Sequence, residues 1–125
     1  MSWKPEVDEI ERRRARALEM GGQEAVDKRR ERGLLNVRER ITRLVDRDSF
    51  RERGQLSGSS SDPDGKDFTP TGVILGTARV DGRPIVVCGD DFTIRGGAYS
   101  PASLKKGLYA EELAVDRKVP LVRLL

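Results

Sequence analysis

Apolar positions recur at two different spacings along this chain, and the change comes near residue 72. Val7, Ile10, Ala17 and Leu18 lie on one narrow stripe at helical spacing. Pro5 suits a first helical turn and Gly21-Gly22 a helix end. A short second helix is predicted over residues 23–32, closed by Gly33. Asn36 is a cap residue with Glu39 three positions later, in capping-box register. Val37, Ile41, Leu44 and Val45 follow at i, i+4, i+7 and i+8, an amphipathic face. All three faces are narrow, so these helices are expected to pack on something else, either the rest of the chain or a neighbouring subunit.

Residues 57–70 (SGSSSDPDGKDFTP) have the composition of a loop. Two roles are open for it, a mobile segment over a site or a plain linker. Residues 73–80 then read as a strand. Asp81-Gly82 is a hairpin turn, and residues 84–89 form a return strand apolar on both faces, hence buried. Cys88 is read there as a small core residue. Ser100 caps a helix whose first residue is Pro101. That helix carries Leu104, Leu108, Leu113 and Val115, with Tyr109 beside them, to about Lys118. Residues 119–125 form another strand, entered through Pro120. The order strand, hairpin, strand, helix, strand fits a spiral of repeated ββα units. It also fits a generic α/β sheet.

Composition sharpens the division. The chain has 125 residues, 36% of them charged and 36% hydrophobic. Residues 1–55 hold 15 Lys+Arg and 12 Asp+Glu, whereas residues 56–125 hold 9 of each. The predicted organisation is a charged helical arm over residues 1–55, a flexible loop over 56–71 and an apolar ββα unit over 72–125. The arm has too little apolar surface to be a stable domain alone. The last residues, Leu121-Val122-Arg123-Leu124-Leu125, are strongly apolar where a terminus is usually polar. The expectation is a chain cut within a strand and belonging to something longer. No apolar run reaches the ~18–20 residues of a membrane span. Met1 leads straight into charged residues, so no signal peptide is expected, and a cytoplasmic location is.

With no His and one Cys, Ser–His and Cys–His catalysis are excluded within the chain, and a zinc site is not expected. The basic runs are interleaved with carboxylates, which weighs against tight nucleic-acid binding. A weak basic nucleic-acid-binding module and a non-catalytic accessory chain of a larger complex remain as alternatives. Gly96-Gly97, ahead of a helix and beside Arg95 and Lys105-Lys106, is the most site-like feature. Its backbone N–H groups could meet an anion, or it could be an ordinary turn.

The ordered set of motifs carries a resemblance. Gly33-Leu34-Leu35-Asn36-Val37-Arg38-Glu39-Arg40-Ile41, then Leu44-Val45-Asp46 and Ser49-Phe50, is similar to the opening of the biotin-dependent acyl-CoA carboxyltransferases. These include the β subunits of acyl-CoA and propionyl-CoA carboxylases. Asp91-Phe92-Thr93-Ile94-Arg95-Gly96-Gly97 matches their D-F-T-x-x-G-G, and Pro120-Leu121-Val122 their P-L-[VI] strand. The resemblance spans about residues 5–125. It departs at Leu34, usually Lys or Arg, at Asn36, usually Thr, and at Ala98, usually Ser.

The resemblance implies a crotonase-like ββα superhelix, here its N-terminal fragment behind a helical arm. It implies transfer of a carboxyl group between carboxybiotin and an acyl-CoA such as acetyl- or propionyl-CoA. Backbone oxyanion holes would stabilise the enolates, so no side-chain acid or base is demanded. Those segments would lie beyond Leu125, so no residue here is assigned a catalytic role. Phe92, Gly96, Gly97, Ala98, Arg38 and Arg40 match substrate-binding positions. Biotin would arrive on a biotin carboxyl carrier or biotin carboxylase partner. The arm would serve a homo-oligomer.

Overall fold

A computed structural model describes residues 2–125; Met1, where the signal-peptide reading starts, lies outside them. Three helices open the chain: α1 (Lys4–Leu18), α2 (Gln23–Glu31) and α3 (Val37–Leu44). Pro5 stands in the first turn of α1. Asn36 closes the expected capping box: its side chain accepts from the Glu39 N–H at 2.9 Å, while the Glu39 carboxylate accepts from the Asn36 N–H. Asn36→Ala removes the side-chain acceptor from a buried cap and is expected to cost about 1 kcal/mol, measured by urea denaturation.

The strands are β1 (Arg51–Arg53), β2 (Gly58–Ser59), β3 (Thr69–Pro70), β4 (Val73–Val80), β5 (Arg83–Asp90) and β6 (Leu121–Leu124), with α4 (Pro101–Arg117) between the last two. The main sheet runs β1-β4-β5-β6. β4 and β5 form the predicted hairpin, with Leu75 opposite Cys88, and β6 joins β5 in parallel with Cys88 beside Arg123. This succession of antiparallel hairpin, helix and parallel strand is an α/β arrangement with one ββα unit followed by the next strand.

Alternation sorts the strands onto two faces. Ile74, Ala78, Ile85 and Val87 face α3 through Val37 and Ile41, with Met20 from the end of α1. Val73, Leu75, Val86 and Cys88 face α4 through Ala110, Leu113 and Ala114. Cys88 is 1% exposed and sits in the core as expected, its thiol pKa pushed up by burial. The arm and the sheet therefore share one apolar layer, and Arg51–Arg53 is a strand of that sheet. Its all-charged sequence hides it. It pairs only along one side, with Glu52 opposite Gly76.

Two segments are packed in ways their composition does not announce. In α4 the face on the sheet is Ser103, Lys106, Gly107, Ala110, Leu113 and Ala114, while Leu104, Leu108, Tyr109 and Val115 are exposed. Small residues bring the helix axis close to the sheet, and the large ones are turned away. The serine-rich loop is also tied down. β2 pairs with β3, and the Asp67 carboxylate gathers the Ser60 and Ser61 hydroxyls and the N–H groups of Ser61 and Asp62. Those bonds, led by the Ser60 hydroxyl, hold its pKa well below the ordinary carboxylate range.

Candidate functional site

β5 ends at Asp90, and residues 91–98 turn the chain towards the start of α4. Asp91 is 1% exposed. Its carboxylate accepts from the Thr93 N–H at 2.9 Å and the Thr93 hydroxyl at 2.6 Å. Burial raises the Asp91 pKa, opposed by the Thr93 bonds and by the charges of Arg38 and Arg29. A short 3₁₀ turn follows at Arg95–Gly97. Gly97 has φ +83°, and a Cβ there would lie 2.6 Å from the Phe92 ring, so only glycine fits beside that aromatic.

Of the two roles open for the glycine pair, the hydrogen bonds support the ordinary turn. The Gly97 N–H donates to Ile94 O at 3.0 Å and the Ala98 N–H to Arg95 O at 3.1 Å. The start of α4 is closed by its own box, in which Ser100 Oγ accepts from the Ser103 N–H and Ser103 Oγ accepts from the Ser100 N–H. What the loop does form is a wall. A cleft of about 330 Å³ opens between it, β2–β3 and the first turn of α4, lined by Ser59, Pro70, Ile94, Arg95, Ala98 and Pro101 among others. Its chemistry is a mixed apolar and hydroxyl surface with one cation, Arg95. That surface can hold a ligand with an apolar part and an anionic part, but it offers no paired acid and base.

The six predicted contact residues divide. Phe92, Gly96, Gly97 and Ala98 lie on the wall loop, but of these Ala98 lines the cleft while Phe92, Gly96 and Gly97 are not among its lining residues. Arg38 is engaged elsewhere: its guanidinium meets the Glu52 carboxylate through two bonds of 2.9 Å. Arg40 Nη1 donates to the Leu125 carbonyl at 3.1 Å.

Sequence reasoning missed what surrounds Arg38. Lys106 is 8% exposed, and its Nζ donates to Thr71 Oγ1 at 3.2 Å. Burial pulls its pKa down to about 8, opposed by the Glu52 charge and reinforced by Arg38. The signal was present in the run of small residues at 103, 107, 110 and 114, which marks the inner face of α4 and puts Lys106 on it.

The carboxyl transferase domain pattern matches residues 28–125. The chain belongs to the carboxyl transferase family. Among its relatives, the probable methylcrotonoyl-CoA carboxylase beta chain of Drosophila melanogaster is 35% identical over 113 residues, 89% of this chain and 19% of that protein. The biotin-dependent 3-methylcrotonyl-coenzyme A carboxylase beta1 subunit of Mycobacterium tuberculosis is 38% identical over 111 residues, 87% of this chain and 21% of that protein. Among solved structures, transcarboxylase 12S, with methylmalonyl-coenzyme A and methylmalonic acid bound, superposes with a TM-score of 0.83 at 26% identity, covering 98% of this chain and 25% of that one. A single-chain, multi-domain long-chain acyl-CoA carboxylase superposes with a TM-score of 0.81 at 32% identity, covering 94% and 14%. The fold of this carboxyl transferase chain is thus the crotonase-like one expected from its motifs. The chain spans about a fifth of the length of the curated relatives it matches.

Proposed function

We propose that this chain forms the acyl-CoA-facing part of a carboxyltransferase subunit. The subunit moves a carboxyl group between carboxybiotin and an acetyl- or propionyl-CoA-like thioester. The observation that carries this reading is the cleft walled by Ile94, Arg95 and Ala98, which pairs apolar lining with one cation, in a family whose relatives are named as acyl-CoA carboxylase subunits. Ala98 lines that wall, Phe92, Gly96 and Gly97 shape the loop that carries it, and Arg95 faces an anionic group of the ligand. Arg38 and Arg40 contribute by holding β1 and the end of β6.

Biotin, brought by a partner protein or domain, would supply the carboxyl group. The part played by this chain is to bind and orient the thioester and to exclude water. None of the cleft's lining groups is placed as a proton acceptor, in keeping with chemistry run on backbone donors supplied by the rest of a subunit. The arm is proposed to join copies of the subunit through α1, where Val7, Ile10 and Leu18 are exposed. Among the described residues no helix is long and apolar enough to cross a membrane; a cytoplasmic site of action is part of the proposal. Nucleic acid fits the arm poorly, because Lys4–Asp8, Arg12–Glu9, Arg14–Glu11 and Lys28–Glu24 pairs neutralise its charge within each helix.

Calorimetric titration of propionyl-CoA into the chain tests the reading. Binding with a Kd below about 1 mM is expected, weakened about tenfold by Ala98→Trp, which fills the cleft. No carboxyl transfer by the chain alone is expected. Equal affinity in both proteins, or none in either, would sink the cleft assignment.

A further inference from the structure

The helical arm reaches the wall loop at two points, from the turn after α1 and from α2. Just past α1, the Gly21 N–H donates to Thr93 Oγ1 at 2.9 Å, and the Thr93 hydroxyl donates onward to Asp91 Oδ1 at 2.6 Å. The approach is so close that a Cβ on Gly21 would lie 1.8 Å from the Thr93 carbonyl oxygen. From α2, Arg29 places its guanidinium 5.2 Å from the centroid of the Phe92 ring. Arg29 is fixed there by its Nε, which donates to Leu35 O at 2.8 Å. The same ring supports Gly97 from the loop itself.

The base of the arm is anchored in turn. Met20 is 3% exposed and packs in the α3-side core, with Arg16 donating to its carbonyl at 2.9 Å. Displacing the turn between α1 and α2 therefore pulls on residue 93. Displacing α2 removes the cation from residue 92. Phe92 and Thr93, just before the 3₁₀ turn, are thus both held by a segment that is not part of the cleft.

We propose that Gly21, Thr93 and Arg29 form a brace by which the arm positions the wall loop, with Thr93 and Arg29 as positioning residues for the cleft. Whatever moves the arm then changes the shape of the wall. Its consequence for acyl-CoA rests on the reading of the cleft given above; the mechanical coupling does not.

Amide hydrogen exchange followed by NMR on the 125-residue chain separates the two. The Gly97 and Ala98 amides, bonded to Ile94 O and Arg95 O, report on the loop, and the Val86 amide, bonded to Pro120 O at 2.9 Å, reports on the core. Thr93→Val removes the hydroxyl that links Gly21 to Asp91. Arg29→Met removes the cation and keeps an apolar stem. Each is expected to speed Gly97 and Ala98 exchange about tenfold while changing Val86 by less than about threefold. Thr93→Ser, which keeps the hydroxyl, is expected to restore the original loop rates, a rescue that a purely steric role for Thr93 would not give. Unchanged loop rates in both variants would overturn the brace, and so would loop and core protection falling together. If the loop responds but propionyl-CoA does not bind, the brace stands and the cleft assignment fails. If propionyl-CoA binds and the loop does not respond, the brace fails and the cleft assignment stands.

Discussion

Lys106→Met should make the chain more stable by about 2 kcal/mol at pH 7. The Lys106 ammonium is buried against α4 and the start of β4, with Thr71 Oγ1 as its hydrogen-bond partner. Its pKa falls from the ordinary 10.5 to about 8 on folding. A depression of that size corresponds to about 3 kcal/mol of unfavourable burial at neutral pH. Losing the bond to Thr71 returns about 1 kcal/mol of that gain. The sign with pH follows from the same shift. Between pH 8 and 10.5 the unfolded chain holds the proton that the folded chain has released, so native stability rises with pH across that window. The Met variant lacks this contribution. Urea midpoints of the two proteins, compared from pH 7 to 10.5, should start apart in favour of the variant and converge. A variant that is less stable at pH 7 would show that Lys106 is held by stronger partners than Thr71.

Glu52→Ala should act in the opposite direction, with a loss of about 3 kcal/mol. The Arg38 and Glu52 side chains are 22% and 13% exposed, enough burial for a stranded guanidinium to be costly. The Arg38 Nε is already buried without a partner, so no second acceptor stands ready. Glu52 also opposes the proton loss of Lys106, so its removal lowers that pKa further. The effects of the two substitutions are therefore coupled. In the Lys106→Met background, Glu52→Ala should cost less than in the parent, because one of the two cations it serves is gone. A double-mutant cycle by chemical denaturation measures the difference. Strict additivity would mean that Lys106 and Glu52 do not sense each other.

The parts legible in the sequence were those set by local rules. Asn36 and Glu39 announce a cap because backbone geometry alone fixes their spacing, and Asp81-Gly82 announces a hairpin because both positions adopt positive φ. The wall loop was legible through its motif, Asp91 to Gly97. The uses of its atoms were not, since the Thr93 hydroxyl meets a partner 72 positions away in sequence. β1 escaped because Arg51-Glu52-Arg53 carries no apolar signal, and its inward side chain is satisfied by a cation on α3. The leucines of α4 do not mark its buried face, since Leu104 and Leu108 are exposed and only Leu113 is buried. Burial there follows closeness of approach, which favours serine, glycine and alanine over larger side chains.

The knot around Asp67 changes how the chain should meet a protease. Three consecutive serines followed by Asp-Pro-Asp-Gly would ordinarily invite nicking, because a protease must draw several residues of extended backbone into its groove. Here the carboxylate holds that stretch by its own amides, and Arg12 grips the far side through the Asp64 carbonyl at 2.8 Å. The segment whose composition looks most fragile would be cut slowly, and cleavage would fall first on the exposed ends of the arm.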